Sequence, residues 1–250
     1  MKVDLLNFKV DPLSKEQAVE HIFACLESGC KVHVVYINAL KVYQIDKNPK
    51  LKKAIDEAEL ALADGVPIVW VSRLFKKAVP ERVNGTDLFE RLLAECETRA
   101  KSVYFLGARQ DVLQKMVDVL RAKHPSLRIA GYRNGYFKDR EDELIIQDIN
   151  ASNADILFLG FSSPKKEIWA NRYKDNILCP VIKGVGGSFD VVAGEVRRAP
   201  RWMQEVGLEW FYRVLMEPDR MLVRYLKSNS YFLWLVVRCY FTEESTKRVR

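Results

Sequence analysis

From Lys31 onward, short apolar or β-branched runs alternate with longer amphipathic segments, and this alternation limits what the chain can become. The runs are Lys31–Ile37, Glu59–Ala63, Ser102–Leu106, Leu127–Gly131, Asp155–Leu159 and Pro180–Lys183. Helical spacing is found between them over Ala39–Asp46, Asn48–Glu57, Leu88–Ala100, Val112–Lys123, Asp142–Ala151 and Lys165–Tyr173. Strand–helix alternation predicts an α/β fold of the Rossmann-like kind, a mostly parallel sheet with helices on both faces. Local signals agree. Ser14 and Gln17 form a capping-box pattern, and Asn48-Pro49 reads as an N-cap followed by Pro at the first helical position.

At 250 residues and 48% hydrophobic content, the chain can bury a full core. The five cysteines, at 25, 30, 96, 179 and 239, include no CxxC pair, which suggests reduced thiols in a cytoplasmic protein. His21, His33 and His124 lie far apart, so no metal site is expected, and His33, inside a strand, reads as structural. The N-terminus lacks a signal-peptide core. The longest apolar run near the C-terminus, Tyr231–Val237, has seven residues, against the roughly 20 a spanning helix needs. The net charge is +7, and residues 197–250 hold eleven Lys/Arg against six Asp/Glu. The composition therefore divides the chain into a core, residues 1–196, and a basic, aromatic helical appendage, residues 197–250.

Most of the expected strands end in small or polar residues: Asn38, Asp64-Gly65, Gly107, Gly160 and Gly184–Gly187. In a parallel sheet these ends share one edge, where ligands bind. None forms a GxGxxG or Walker A loop. Asp64 stands at the mouth of an apolar strand, with Arg82, Gly85 and Asp87 following; it is as readily a turn residue as a base. In FLGFSSPKKE (158–167), Ser163 reads as an N-cap and Pro164 as the first helical residue. Lys165 and Lys166 then fall in the first turn, where a cation opposes the helix dipole unless an anion binds beside Ser162. The segment 184–190 reads equally as a wall for a base or sugar around Gly186 and as a tight loop feeding a helix.

In the appendage, aromatic and basic residues interleave. Arg213, Arg220 and Arg224 share one helical face if Pro218 does not interrupt it. Such a segment suits a membrane surface, a diphosphate gripped by arginines, or a packed helix pair with snorkelling arginines. Nucleic acid is disfavoured, because the charge is modest and no binding motif is present.

Taken together, Asn38, ADGVPIVW, PERVNGTDL, YFLGAR, NGYF, SPKKE, GVGGSFD and RRAPRWMQEVGLEWFYR, followed by EPDR and RYL, resemble the WecG/TagA/CpsF glycosyltransferases from about Lys31 to Lys227. The resemblance implies sugar transfer from a UDP-sugar to a polyprenyl-diphosphate-linked acceptor. The reaction would be inverting, need no metal or other cofactor, and occur at the inner face of the cell membrane, with the enzyme held peripherally. Asp64 would be the catalytic base. Asn38 and Arg82 would serve the donor, with Gly107, Ser162 and Gly186 at the neighbouring strand ends. Arg213, Arg220 and Arg224 would hold the lipid diphosphate. Tyr36 and Lys166 depart from the Thr and Gln common in the family and would lie near the donor sugar or phosphate. A homo-oligomer is compatible with this reading. The rival is a non-catalytic basic module binding nucleotides or nucleic acid.

Overall fold

A computed structural model describes residues 2–77 and 79–248; the side chains of Arg220 and of residues 243–248 lie outside the described set. The chain opens with a hairpin, β1 (Val3–Leu5) and β2 (Phe8–Val10). Then come α1 (Lys15–Ser28), β3 (Val32–Ile37), α2 (Ala39–Lys47), α3 (Pro49–Asp56), β4 (Leu60–Ala63) and α4 (Val66–Leu74). Next are α5 (Gly85–Thr98), β5 (Ser102–Gly107), α6 (Gln110–Lys123), β6 (Arg128–Arg133), α7 (Asp142–Ser152), β7 (Ile156–Gly160) and α8 (Lys165–Tyr173). The chain continues through β8 (Val181–Gly184), α9 (Ser188–Val192), α10 (Arg201–Glu205), α11 (Glu209–Met216) and α12 (Pro218–Arg248).

Six strands form one parallel sheet in the order β4-β3-β8-β7-β5-β6. The period-2 geometry of each strand sends alternate side chains to opposite faces. Val34 and Tyr36 of β3 join Phe105 and Phe158 on the face covered by α1, α5, α6 and α9. Val35 and Ile37 face α2, α3, α4 and the second half of α12, which contributes Phe232, Leu235 and Val236. Leu157 and Leu159 pack under α7 and α8. Both faces are covered, so the strands read as continuous apolar runs.

The expected helix starts hold where capping chemistry fixes them. Ser14 and Gln17 make both bonds of a capping box, and Asn48 caps α3 with Pro49 in its first turn. Three local expectations need correction. The helix expected from Leu88 begins at Gly85, because the Asn84 side chain accepts from Thr86 N and Asp87 N. Ser163 does not cap α8. Pro164 occupies the cap, and the Ser163 hydroxyl instead donates to Gln44 Oε1 at 3.2 Å and accepts from Lys41. Pro218 does interrupt the tail: α11 stops at Met216 and α12 begins at the proline, so Arg213 does not share a helix with Arg220 and Arg224.

Candidate active site

The carboxyl ends of β4, β3, β8 and β7 bring Asp64, Asn38, the Gly184–Gly187 loop and Ser162 to one edge of the sheet. Asp64 follows the last residue of β4, and its N–H donates to Ile37 O. The segment carrying Arg82 is fastened alongside by Val83 N–H donating to Ala63 O at 2.7 Å. Arg82 Nε therefore comes within 3.8 Å of Asp64 Oδ1. This is an ion-pair distance and too long for a hydrogen bond.

The Arg82 guanidinium is engaged elsewhere. Its Nη2 donates to Glu209 Oε2 at 2.6 Å, and Asn84 Nδ2 donates to the same oxygen at 3.1 Å. Arg213 Nη2 lies 3.5 Å from the other Glu209 oxygen. Glu209 heads α11, so the C-terminal segment reaches the site with a buried carboxylate as well as with arginines. Loss of water raises the Asp64 carboxyl to about 6; Arg82 and Arg213 oppose that rise and Glu209 adds to it. Among the described residues, Asp64 Oδ1, Arg82 Nε and the Tyr36 hydroxyl are all buried without a hydrogen-bond partner. Tyr36 is held well above the usual phenol range, by burial and then by Asp64. Unsatisfied buried polar atoms are costly and call for an explanation. Here they belong to residues packed round a single carboxylate.

A second polar cluster lies at the ends of β3 and β7. Asn38 spends its side-chain oxygen on capping α2, accepting from Lys41 N at 2.9 Å. Lys41 is buried. Its Nζ donates to Ser163 Oγ, and to Glu167 Oε1 at 2.6 Å. Lys166 Nζ stands 3.1 Å from the same Glu167 oxygen. Burial alone would raise Glu167, but Lys166 and Lys41 together hold it far below the usual glutamate range. One carboxylate thus faces two lysines, leaving net positive charge. Arg224 adds to it by acting on Lys41 through space. The Lys166 stem crosses the glycine loop: a Cβ on Gly184 would lie 2.8 Å from Lys166 Cε, and one on Gly186 would lie 3.9 Å from its Nζ. Lys165 turns away and rests over the Phe137 ring at 4.4 Å.

The expected site residues therefore fall into two groups. Asp64, Arg82, Tyr36 and Arg213 surround the β4 corner. Asn38, Ser162, Lys166 and Gly186 lie over β3, β7 and β8, with Arg224 within electrostatic reach of Lys41. Gly107 sits further along the edge. Its φ is +150°, and a Cβ there would come 2.4 Å from Gly160 Cα, so close backbone packing accounts for the glycine. The Arg220 side chain lies outside the described residues.

Sequence reasoning missed Glu209, Lys41, Glu167 and Lys183. Glu209 carried one visible signal, its i,i+4 spacing to Arg213. Lys183 carried another, a lone lysine inside an apolar strand. Apart from the site, a groove of about 580 Å³ runs between the hairpin and α12, lined by Asp4, Asn7, Phe75, Tyr231, Trp234 and Arg238 among others. It contains none of the expected site residues. Among the described residues no helix is long and apolar enough to cross a membrane.

Known proteins resemble the chain along most of its length. The profile of the glycosyl transferase WecG/TagA/CpsF family matches residues 3–246. The chain is 35% identical over 195 residues to an N-acetylglucosaminyldiphosphoundecaprenol N-acetyl-beta-D-mannosaminyltransferase of Bacillus spizizenii, covering 78% of this chain and 75% of that protein. It is 36% identical over 166 residues to a protein of the same description from Bacillus subtilis strain 168, covering 66% of this chain and 64% of the relative.

Proposed function

The chain belongs to the WecG/TagA/CpsF family of glycosyl transferases, and from that membership we propose that it moves a sugar from a UDP-sugar to a polyprenyl-diphosphate-linked saccharide, with inversion and without a metal, in cell-surface polysaccharide synthesis. Family membership displaces the rival reading of a non-catalytic binding module. The acceptor class is carried over from the relatives, whose description names an N-acetylglucosaminyl-diphosphoundecaprenol. The donor sugar is left open, because Tyr36 and Lys166 stand where the family commonly has Thr and Gln.

Asp64 is the base. It takes the proton from the acceptor hydroxyl as that oxygen bonds to the anomeric carbon of the donor and the bond to the UDP oxygen breaks. General-base assistance of this kind is worth roughly 10²–10⁴-fold. A carboxyl raised to about 6 accepts that proton more readily than an ordinary aspartate and is still ionised at neutral pH. The departing diphosphate gains negative charge, which preorganised cations stabilise. Lys166 beside the glycine loop, with Arg82, Arg213, Arg220 and Arg224, supplies them in this reading. The segment from residue 197 docks the enzyme on the membrane and holds the acceptor diphosphate.

The observation that carries the proposal is the set of buried atoms at the β4 corner, Asp64 Oδ1, Arg82 Nε and Tyr36 OH, that have no hydrogen-bond partner among the described residues. A substrate hydroxyl and an anion would satisfy them. The test is a donor screen: UDP-sugars are offered with a short-chain polyprenyl-diphosphate sugar, and UDP release is followed. Release that requires the lipid acceptor supports the proposal. No release with any UDP-sugar sinks it.

A further inference from the structure

Lys183 has no part in the chemistry above. It lies on β8 in the interior of the sheet, its side chain is fully buried at 0% exposure, and it points to the face covered by α5. The Nζ donates to Gly85 O at 3.1 Å. Around it stand three aromatic rings, with centroids 5.2 Å away for Tyr36, 5.7 Å for Phe89 and 5.8 Å for Phe158. Burying an ammonium costs several kcal/mol even after relaxation, and well-packed apolar replacements of buried charges are often neutral or stabilising. A methionine would fill the same space between the rings. Stability therefore does not account for a lysine here.

The position of its acceptor does. Gly85 is the first residue of α5, and Asn84, the cap before it, bonds Glu209. Arg82, three residues upstream, faces Asp64. The Gly85 N–H helps hold Asp64 in its charged form. A Cβ on Gly85 would sit 3.6 Å from Tyr36 Cζ, so the peptide is wedged against that ring. Gly85 thus has its carbonyl tied to Lys183, while the loop leading into it is fastened beside Asp64 by Val83 N–H donating to Ala63 O.

We propose that Lys183 is a positioning residue for Asp64, acting through the Gly85 peptide. The proposal rests on the reading of Asp64 as the base, but its decisive test does not. The charged or titratable groups around Asp64 are Arg82 from the loop, Glu209 and Arg213 from α11, Tyr36 from β3, Tyr225 from α12 and Lys183 from β8. Removing the Lys183 amine frees the Gly85 carbonyl and so loosens the N–H of the same residue that supports the Asp64 carboxylate, which favours the protonated acid.

The experiment uses the full-length chain carrying Lys183→Met. The Asp64 carboxyl is titrated by 13C NMR, with Asp64→Asn providing the assignment. The Asp64 midpoint is expected to move to higher pH by roughly half a unit or more. Thermal stability should be unchanged or higher. With substrates, kcat should fall roughly 10- to 100-fold, as a misplaced catalytic group costs, while KM for the donor holds. An unmoved midpoint overturns the proposal whatever the activity does. A moved midpoint with wild-type kcat upholds the Lys183–Gly85–Asp64 coupling and overturns Asp64 as the base instead. Lys183→Leu is the second variant should the Met variant not fold, judged by the same midpoint.

Discussion

Glu209 holds the Arg82 guanidinium at 2.6 Å, while Asp64 stands 3.8 Å from the same side chain. The cation between the two carboxylates is bonded to the one from the C-terminal segment. Asp64 feels Arg82 through space but is not locked into a hydrogen-bonded ion pair, which would make it a poor proton acceptor.

Glu209→Gln should therefore weaken the base without touching it. The substitution removes a negative charge that raises Asp64 and releases Arg82 to close on Asp64. Asp64 then titrates below its value of about 6. The acid limb of the kcat/KM profile moves to lower pH, and kcat on the alkaline side falls by roughly tenfold as the base weakens. A pH–rate profile checks both, and an unmoved acid limb would contradict the arrangement.

Asp64→Asn separates chemistry from binding. Turnover should drop by roughly 10²–10⁴-fold, while donor affinity measured by calorimetry survives. A stability effect of opposite sign accompanies it. The folded-state value of about 6 exceeds the ordinary 3.8. The folded protein therefore binds this proton more tightly than the unfolded chain does. Stability from this group falls as pH rises from about 4 through 6, and the cost is fully present above that. Asn has no such cost, so at pH 7.5 the variant should unfold later, by roughly 1–3 kcal/mol. A variant both inactive and less stable at that pH would point to a structural role for Asp64.

How legible this was in the sequence differs between the framework and the site. β3, β4, β5, β7 and β8 lie within one or two residues of the expected runs, because parallel strands buried on both faces leave unbroken apolar stretches. The N-terminal hairpin went unread: its two strands have three residues each, too few for a period to register. The cap expected at Ser163 rests on a local signal, whereas the hydroxyl is claimed by Lys41 and Gln44 more than a hundred residues away. The same reason hid Glu209. Asp64 and Arg82 lie eighteen positions apart with only α4 between them, and could be linked by eye. The carboxylate that holds Arg82 arrives from α11, and its partnership exists only once the C-terminal segment folds back.

The buried Lys41–Glu167 pair should behave as a joint. Lys41→Met leaves Glu167, 3% exposed, with Lys166 as its remaining cation, so the cost should stay below the about 3–5 kcal/mol of a buried pair broken outright. Adding Glu167→Leu should recover part of that loss, because the desolvated carboxylate leaves with it. Glu167 is depressed by its lysines, so its contribution is complete above the ordinary glutamate range and drains away as the pH falls below it. Urea unfolding of the wild type, the single and the double variant at pH 7 and pH 4 tests this. A double variant as unstable as the single one would show that α2 and α8 depend on something other than charge pairing.

Large apolar side chains on the C-terminal helices and on α4 remain exposed. Trp70 on α4, Trp202 on α10, Phe211 and Leu215 on α11, and Leu222, Val223 and Leu226 on α12 are all exposed, Trp70 to 62% and Leu215 to 60%. Large exposed apolar patches mark interaction surfaces. The neighbouring basic residues include Arg201, Arg213, Arg224 and Lys227, which suits an anionic bilayer, where each juxtamembrane cation adds about 1 kcal/mol. Leu222→Ser, Val223→Ser and Leu226→Ser combined should leave the melting temperature nearly unchanged, since exposed side chains contribute within about 0.5 kcal/mol each. Flotation with vesicles containing anionic phospholipid should be lost, and turnover on a long-chain lipid acceptor should fall further than turnover on a short, water-soluble one. Unaltered flotation would remove the membrane from this face. Loss of both activities in equal measure would mean that these side chains shape the site itself.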